Sequence, residues 1–197
     1  MNIAIFASGA GSNANVIIRN LEKYISKSEG CVELILTNNK NAGVLGIAYE
    51  NRVNSEIINL KQKTDSEAFQ IYNEVLQKHK IDFIVLAGYL KKIPAALTKL
   101  YPNRIVNIHP ALLPAYGGAG MYGAKVHEAV VAAKGKESGI TIHFVDEIYD
   151  HGKIIFQAKC TLEENETAIS LAKKVQALEY ENYTQVIAAL ISKINQE

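Results

Sequence analysis

Apolar runs of strand length alternate with helical patterns along this chain, and that alternation limits the folds open to it. "NIAIFA" (2–7) leads into a helical stretch from about Asn13 to Lys27, and "CVELILT" (31–37) into another from Val44 to Arg52. "SEIINL" (55–60) precedes "TDSEAFQIYNEVLQKHK" (64–80), an amphipathic pattern whose Thr64 and Glu67 fit a capping box, each able to satisfy a free amide at the helix start. "DFIVLAGYL" (82–90) is apolar throughout, as expected of a strand buried on both faces of a parallel sheet. Strand followed by helix, repeated, predicts an α/β fold: a doubly wound, mostly parallel sheet with a Rossmann-like amino-terminal half.

The second half reads as the strand "RIVNIH" (104–109), a glycine-rich segment "YGGAGMYG" (116–123), a helix near Val126 to Lys134, and two strands, "GITIHFV" and "KIIFQAK", joined by "DEIYDHG". A long helix closes the chain, with Leu171, Val175, Leu178, Val186 and Leu190 predicted to form its packing face. No linker marks a boundary, so one domain over 1–197 is expected.

Side chains on a strand alternate with period two, so Ile105, Asn107 and His109 share a face. Pro110 and Pro114 end the pairing, because proline has no amide hydrogen for a ladder. An amide and an imidazole therefore stand together at the carboxyl end of a core strand, where open α/β sheets bind ligands. "ASGAGSN" joins the first strand to the first helix. Its glycines permit a tight turn, and the free amides at Gly11, Ser12 and Asn13 make an anion site. Gly9, Gly11 and Ala14 fit G-x-G-x-x-A, yet "LTNNKN" at the end of the second strand lacks the acid that would hold a dinucleotide ribose. A mononucleotide-like phosphate suits the loop better than NAD.

Charge excludes other classes. Lys and Arg number 21 against 20 Asp and Glu, a formal charge of +1, so no broad field exists to hold a nucleic acid or an anionic membrane. No run approaches the roughly 20 apolar residues of a membrane-spanning helix. "MNIAIFASG" has neither a basic n-region nor a cleavage-like site, so a cytoplasmic protein is expected. Cys31 and Cys160 stand apart from any residue at metal spacing and read as buried free thiols. His143 reads as structural, His79 as solvated, and His127 as sitting on a wet helix face.

Taken together, "SGAGSN", "FIVLAGYLKKIP", "NIHPALLP", "SGITIHFV" with "YDHGKIIFQAK", and "VQALEYENY" resemble the formyl-folate-dependent formyltransferases over nearly the whole chain. "GSN" at the first turn is similar to the branch that formylates glycinamide ribonucleotide in de novo purine biosynthesis. The resemblance implies the formyltransferase fold and 10-formyltetrahydrofolate as co-substrate. It implies small-molecule substrates, a monomer or homodimer, and no metal, nucleic acid or membrane. It also implies a ribonucleotide phosphate-binding half over about 1–100 and a catalytic, folate-binding half over about 101–197. Carried over residue by residue, Asn107, His109 and Asp150 match the catalytic trio, and Gly11, Ser12 and Asn13 the phosphate loop. Gln176 and Glu179 match the ribonucleotide contacts. Leu90, Lys91, Lys92 and Ile93, with Asn107, match the folate site. In chemical terms Asn107 would donate to a developing oxyanion, His109 would act as general acid and base, and Asp150 would favour the imidazolium.

The chain departs from the commoner family pattern in its glycine-rich 116–123 segment and in Ser66 and Lys91, which stand where relatives carry arginine; lysine keeps the charge but not the planar two-pronged hydrogen bonding. Alternatives from the same superfamily are a formyl-folate hydrolase, a methionyl-tRNA formyltransferase and an amino-sugar formyltransferase. From other classes come a dinucleotide-dependent dehydrogenase and a noncatalytic nucleotide sensor.

Overall fold

Five strands run parallel in the computed structural model, which describes residues 1–196. They are β1 (Asn2–Phe6), β2 (Cys31–Thr37), β3 (Asn54–Ile57), β4 (Phe83–Leu86) and β5 (Ile105–His109). Helices α1 (Ser12–Asn20), α2 (Val44–Asn51), α3 (Asp65–Lys78) and α4 (Ala95–Leu100) make the crossovers. After α5 (Ala124–Ala132), strands β6 (Glu137–Phe144) and β7 (Ile154–Thr161) extend the sheet antiparallel, and α6 (Ala168–Ile194) follows. The strand order is β3-β2-β1-β4-β5-β6-β7. The chain winds outward from β1 in one direction and from β4 in the other, which opens a crevice at the carboxyl ends of the strands between them.

Strand alternation divides the core into two layers. Ile3 and Ile5 of β1, with Phe83 and Val85 of β4, pack with α1, α2, α5 and α6; Ala4, Phe6, Ile84 and Leu86 pack with Tyr72, Leu76 and Leu97 of α3 and α4. Both faces of the central strands are thus buried, the physical reason their sequences read as unbroken apolar runs. The Thr64–Glu67 capping box forms at the start of α3.

The elements differ from expectation in several places. The first helix ends at Asn20 and tightens into a 3-10 turn, Leu21–Lys23, before the hydrogen-bonded turn at Ser26 to Gly30. β3 is a short edge strand that stops at Ile57. α4 carries no strong sequence signal, since its six residues are too few for a helical period to show. The core-facing row of α6 is Leu171, Val175, Tyr183, Ile187 and Ile191, whereas Leu178, Val186 and Leu190 only flank it, half-buried. Tyr183 reaches under the sheet and donates from its hydroxyl to the Leu86 and Val106 carbonyls, at 2.9 and 3.3 Å. Cys31 and Cys160 are free but only half-buried.

Gly11 is required here by packing. Its φ is +78°, and a Cβ at that position would lie 2.5 Å from Val44 Cγ2 on α2. Gly11→Ala should therefore lose at least about 2 kcal/mol of stability, from left-handed strain of about 1–2 kcal/mol and overpacking of about 1–3 kcal/mol. Urea unfolding reads this as a lower midpoint at unchanged slope. An unchanged midpoint would show that α2 yields freely.

Candidate active site

The cavity at the carboxyl ends of β1, β4 and β5 has a volume of about 550 Å³. Asn107 and His109 enter it from β5, and β6 supplies a partner for each: Asn107 pairs with His143 and His109 with Thr141 in the antiparallel register. After His109 the chain must leave the sheet through two prolines, and Thr141 holds it. The Thr141 hydroxyl donates to the Ala111 carbonyl at 2.7 Å and accepts from the Leu113 amide at 2.9 Å and from Gln157 Nε2 at 2.8 Å. That is the full capacity of a hydroxyl, so the exit from β5 is pinned where a sheet ladder is impossible.

Asp150 comes from the β6–β7 turn, at a φ of +55°. Gly152 permits the turn to close, because a Cβ there would lie 1.9 Å from the Phe144 carbonyl oxygen. His143 Nδ1–H donates to that same carbonyl at 2.8 Å, which leaves its Nε2 to accept from Asn107 Nδ2 at 3.1 Å. The amide is thereby oriented with its second N–H free for the cavity. His109 Nε2–H donates to the Tyr116 carbonyl at 2.8 Å, and its Nδ1 stands 3.5 Å from Asp150 Oδ2. The same carboxylate accepts from the Gly118 amide at 2.9 Å and lies 3.6 Å from His143 Nε2.

These groups are buried: His109 is 3% and His143 2% exposed. Burial pushes the His109 pKa below its ordinary value, against Asp150 and the Tyr116 carbonyl, which raise it. With Nε2–H committed to a carbonyl, an unprotonated Nδ1 would turn a lone pair on the carboxylate; protonation relieves this, which is how Asp150 favours the charged ring. Burial also works to raise the Asp150 pKa, but the neighbouring His143 and His109 rings and the Gly118 N–H together hold it below the usual carboxylate range.

At the α6 end, Glu179 Oε2 accepts from Asn13 Nδ2 at 2.9 Å, and burial raises the Glu179 pKa despite that bond. Glu179 occupies the position between Val175 and Tyr183 in the four-residue row that faces the core, where the pattern asks for an apolar side chain. Gln176 lines the cavity beside it. At the other end Leu90, Lys92 and Ile93 join Val145, Ile148 and Tyr149 in the wall. The Leu90 amide donates to Ser8 Oγ at 3.0 Å, tying this segment to the end of β1. Gly11, Ser12 and Lys91 lie outside the cavity lining.

Three histidines depart from their sequence readings. His143 belongs to the polar cluster, because antiparallel pairing sets it opposite Asn107. His127 is buried against the cavity rather than wet. His79 is largely covered and bonds Glu56 Oε1 at 3.1 Å. Only period-two alternation of Thr141 and His143 hints at the first, and it names a face without saying what covers it.

Polar groups so arranged, amide, imidazoles and carboxylate around one cavity, coincide with a match to a known family: the sequence model described as Formyl transferase covers residues 1–187. The chain belongs to the formyl transferase family. A chloroplastic phosphoribosylglycinamide formyltransferase of Arabidopsis thaliana is 41% identical over 192 residues, covering 95% of this chain and 64% of that protein. The phosphoribosylglycinamide formyltransferase of Bacillus subtilis (strain 168) is 33% identical, over 98% of this chain and 95% of that one. The crystal structure of the Bacillus halodurans phosphoribosylglycinamide formyltransferase superposes with a TM-score of 0.88 at 34% identity, covering 98% of this chain and 97% of that one. The chain spans 64% and 60% of the two plant relatives, from Arabidopsis thaliana and Vigna unguiculata. The strand order and the antiparallel β6–β7 extension are thus those of a formyl transferase, and no helix among the described residues is long and apolar enough to cross a membrane.

Asp150→Asn removes the charge that counters burial at His109, so the His109 pKa should fall further below its ordinary value. NMR titration of the assigned His109 ring, with the other histidines assigned alongside, measures it. An unchanged pKa would mean that Asp150 serves only the turn.

Proposed function

We propose that this formyl transferase moves the formyl group of 10-formyltetrahydrofolate to the primary amine of glycinamide ribonucleotide, a step of purine biosynthesis. The observation that carries the reading is one cavity lined by the buried His109 and His143 together with the partly buried Asn107 and Asp150. On one side lie the polar Asn13, Gln176 and Glu179, on the other an apolar wall. Relatives and solved structures named for this activity over nearly their whole length support it.

The roles proposed for the residues are those of the resemblance, supported for most of them by their place in the cavity lining. Asn13 and the first-turn amides of α1, which has no side-chain cap, receive the phosphate together with Gly11 and Ser12. Gln176 and Glu179 hold the ribose hydroxyls. Leu90, Lys91, Lys92 and Ile93 meet the folate, whose flat ring suits the apolar wall. The formyl carbonyl supplies the electrophile, and attack by the amine puts negative charge on its oxygen. Asn107 donates its free N–H to that oxygen, with His143 fixing the amide so that no reorientation is needed. His109 accepts the proton lost by the amine and returns one to the departing folate nitrogen, and Asp150 stabilises the ring while it is charged.

The direct test mixes the protein with glycinamide ribonucleotide and 10-formyltetrahydrofolate and follows deformylated folate by absorbance. Deformylation that needs the ribonucleotide supports the reading. Deformylation at the same rate without it would make the chain a hydrolase. NAD binding without formyl-folate binding would point to a dehydrogenase. In the same assay His109→Ala should cost roughly 10²- to 10⁴-fold in rate, the worth of a positioned acid–base group, with ribonucleotide affinity little changed. Near-normal turnover would return His109 to a packing role.

A further inference from the structure

His127 takes no part in the scheme above, yet its burial is not explained by packing alone. It projects from α5, is 7% exposed, and its Nδ1 is sealed from solvent with no hydrogen-bond partner among the described residues. Nδ1 is shut off from any ligand, but Nε2 is not sealed and likewise has no hydrogen-bond partner among the described residues, so it is the nitrogen left for a ligand. The ring borders the main cavity and also an adjoining hollow of about 320 Å³ between α5 and α6, whose shared walls include Ala172 and Gln176. His127 thus shares both hollows with Gln176 and is near enough to His109 for that ring's charge to reach it.

The protonation state follows from the surroundings. Burial, and then the charge His109 carries when protonated, lower the His127 pKa, so the ring is neutral at neutral pH. A neutral imidazole carries one hydrogen. Buried N–H groups without an acceptor are rarer than acceptors without a donor, so the hydrogen belongs on Nε2 and the sealed Nδ1 keeps its lone pair. Nε2, the nitrogen that is not sealed, therefore presents a donor.

Resting on the functional reading above, we propose that His127 is a specificity-determining contact for the amine-bearing substrate. Its Nε2–H donates to the amide carbonyl of the arm that links the ribose to the reacting amine. With the phosphate at α1 and the ribose at Gln176 and Glu179, that arm is what must cross from Gln176 to His109. Its carbonyl is the one strong acceptor along the way. The contact would select an acceptor with an amide at this distance from the amine over a bare ribosyl amine.

Calorimetry on the full chain separates the arm from the rest of the ligand, because ribose 5-phosphate has the sugar and phosphate but no arm. His127→Leu should bind glycinamide ribonucleotide roughly 5- to 10-fold more weakly, the worth of one neutral hydrogen bond, while binding ribose 5-phosphate as the parent does. The KM for the ribonucleotide should rise with kcat little changed, and His127→Gln, which keeps a donor at similar reach, should recover part of the loss. If His127→Leu does not fold, His127→Asn, whose amide is too short to reach the arm, makes the same comparison. Equal losses for both ligands, or none for either, would overturn the assignment. A failure of the underlying reading would show separately, as a parent protein that binds no glycinamide ribonucleotide.

Discussion

The antiparallel pairing of β5 with β6 is the constraint on which the site depends. It sets Asn107 against His143 and His109 against Thr141 in a sheet that otherwise buries apolar side chains on both faces. Four polar side chains in such a place are expensive unless each finds a partner. Here each does: amide to imidazole, imidazole to backbone carbonyl, hydroxyl to the strand exit, and the Asp150 carboxylate across the cluster. Asp150 is added by the separate antiparallel hairpin of β6 and β7, whose turn carries it to His109.

Burial and charge oppose each other within that cluster, and neither wins everywhere. At His109 desolvation prevails and the ring loses basicity; at Asp150 the hydrogen-bond donors prevail and the carboxyl stays ionised. An ionised carboxylate beside a ring of lowered basicity suits the proton transfer proposed for His109, because such a ring gives up its proton readily while the charge opposite limits the cost of holding it. Glu179 is a third case: a carboxylate in a core-facing row, its pKa raised, with Asn13 as its neighbour. One helix thereby both closes the core and presents a polar group to the cavity.

Much of the fold was legible because its causes are local. Continuous apolar strands, a capping box at Thr64 and prolines after His109 each act over a few residues, and each appears as expected. On α6 the expected face is right at Leu171 and Val175 but not at Leu178, Val186 and Leu190, because two apolar rows lie on that helix and helical period alone does not say which meets the sheet. Gly11 shows the same limit. Its conformational freedom is visible in the sequence, whereas the Val44 side chain that requires it lies 33 positions away on another helix.

By itself the sequence determined the alternating strands and helices, the placing of Asn107 and His109 on one face at a strand end, and, through its motifs, the kinship with formyl transferases. These rest on period, on proline and glycine chemistry, and on residues near one another in the chain. Which histidines line the cavity is a matter of tertiary packing. His143 is drawn in by antiparallel register, His127 is sealed by the packing of α5 against α6, and Asp150 reaches His109 only because the turn at Gly152 closes onto a carbonyl. Register and burial depend on contacts between residues distant in sequence, and no local pattern in the chain carries them.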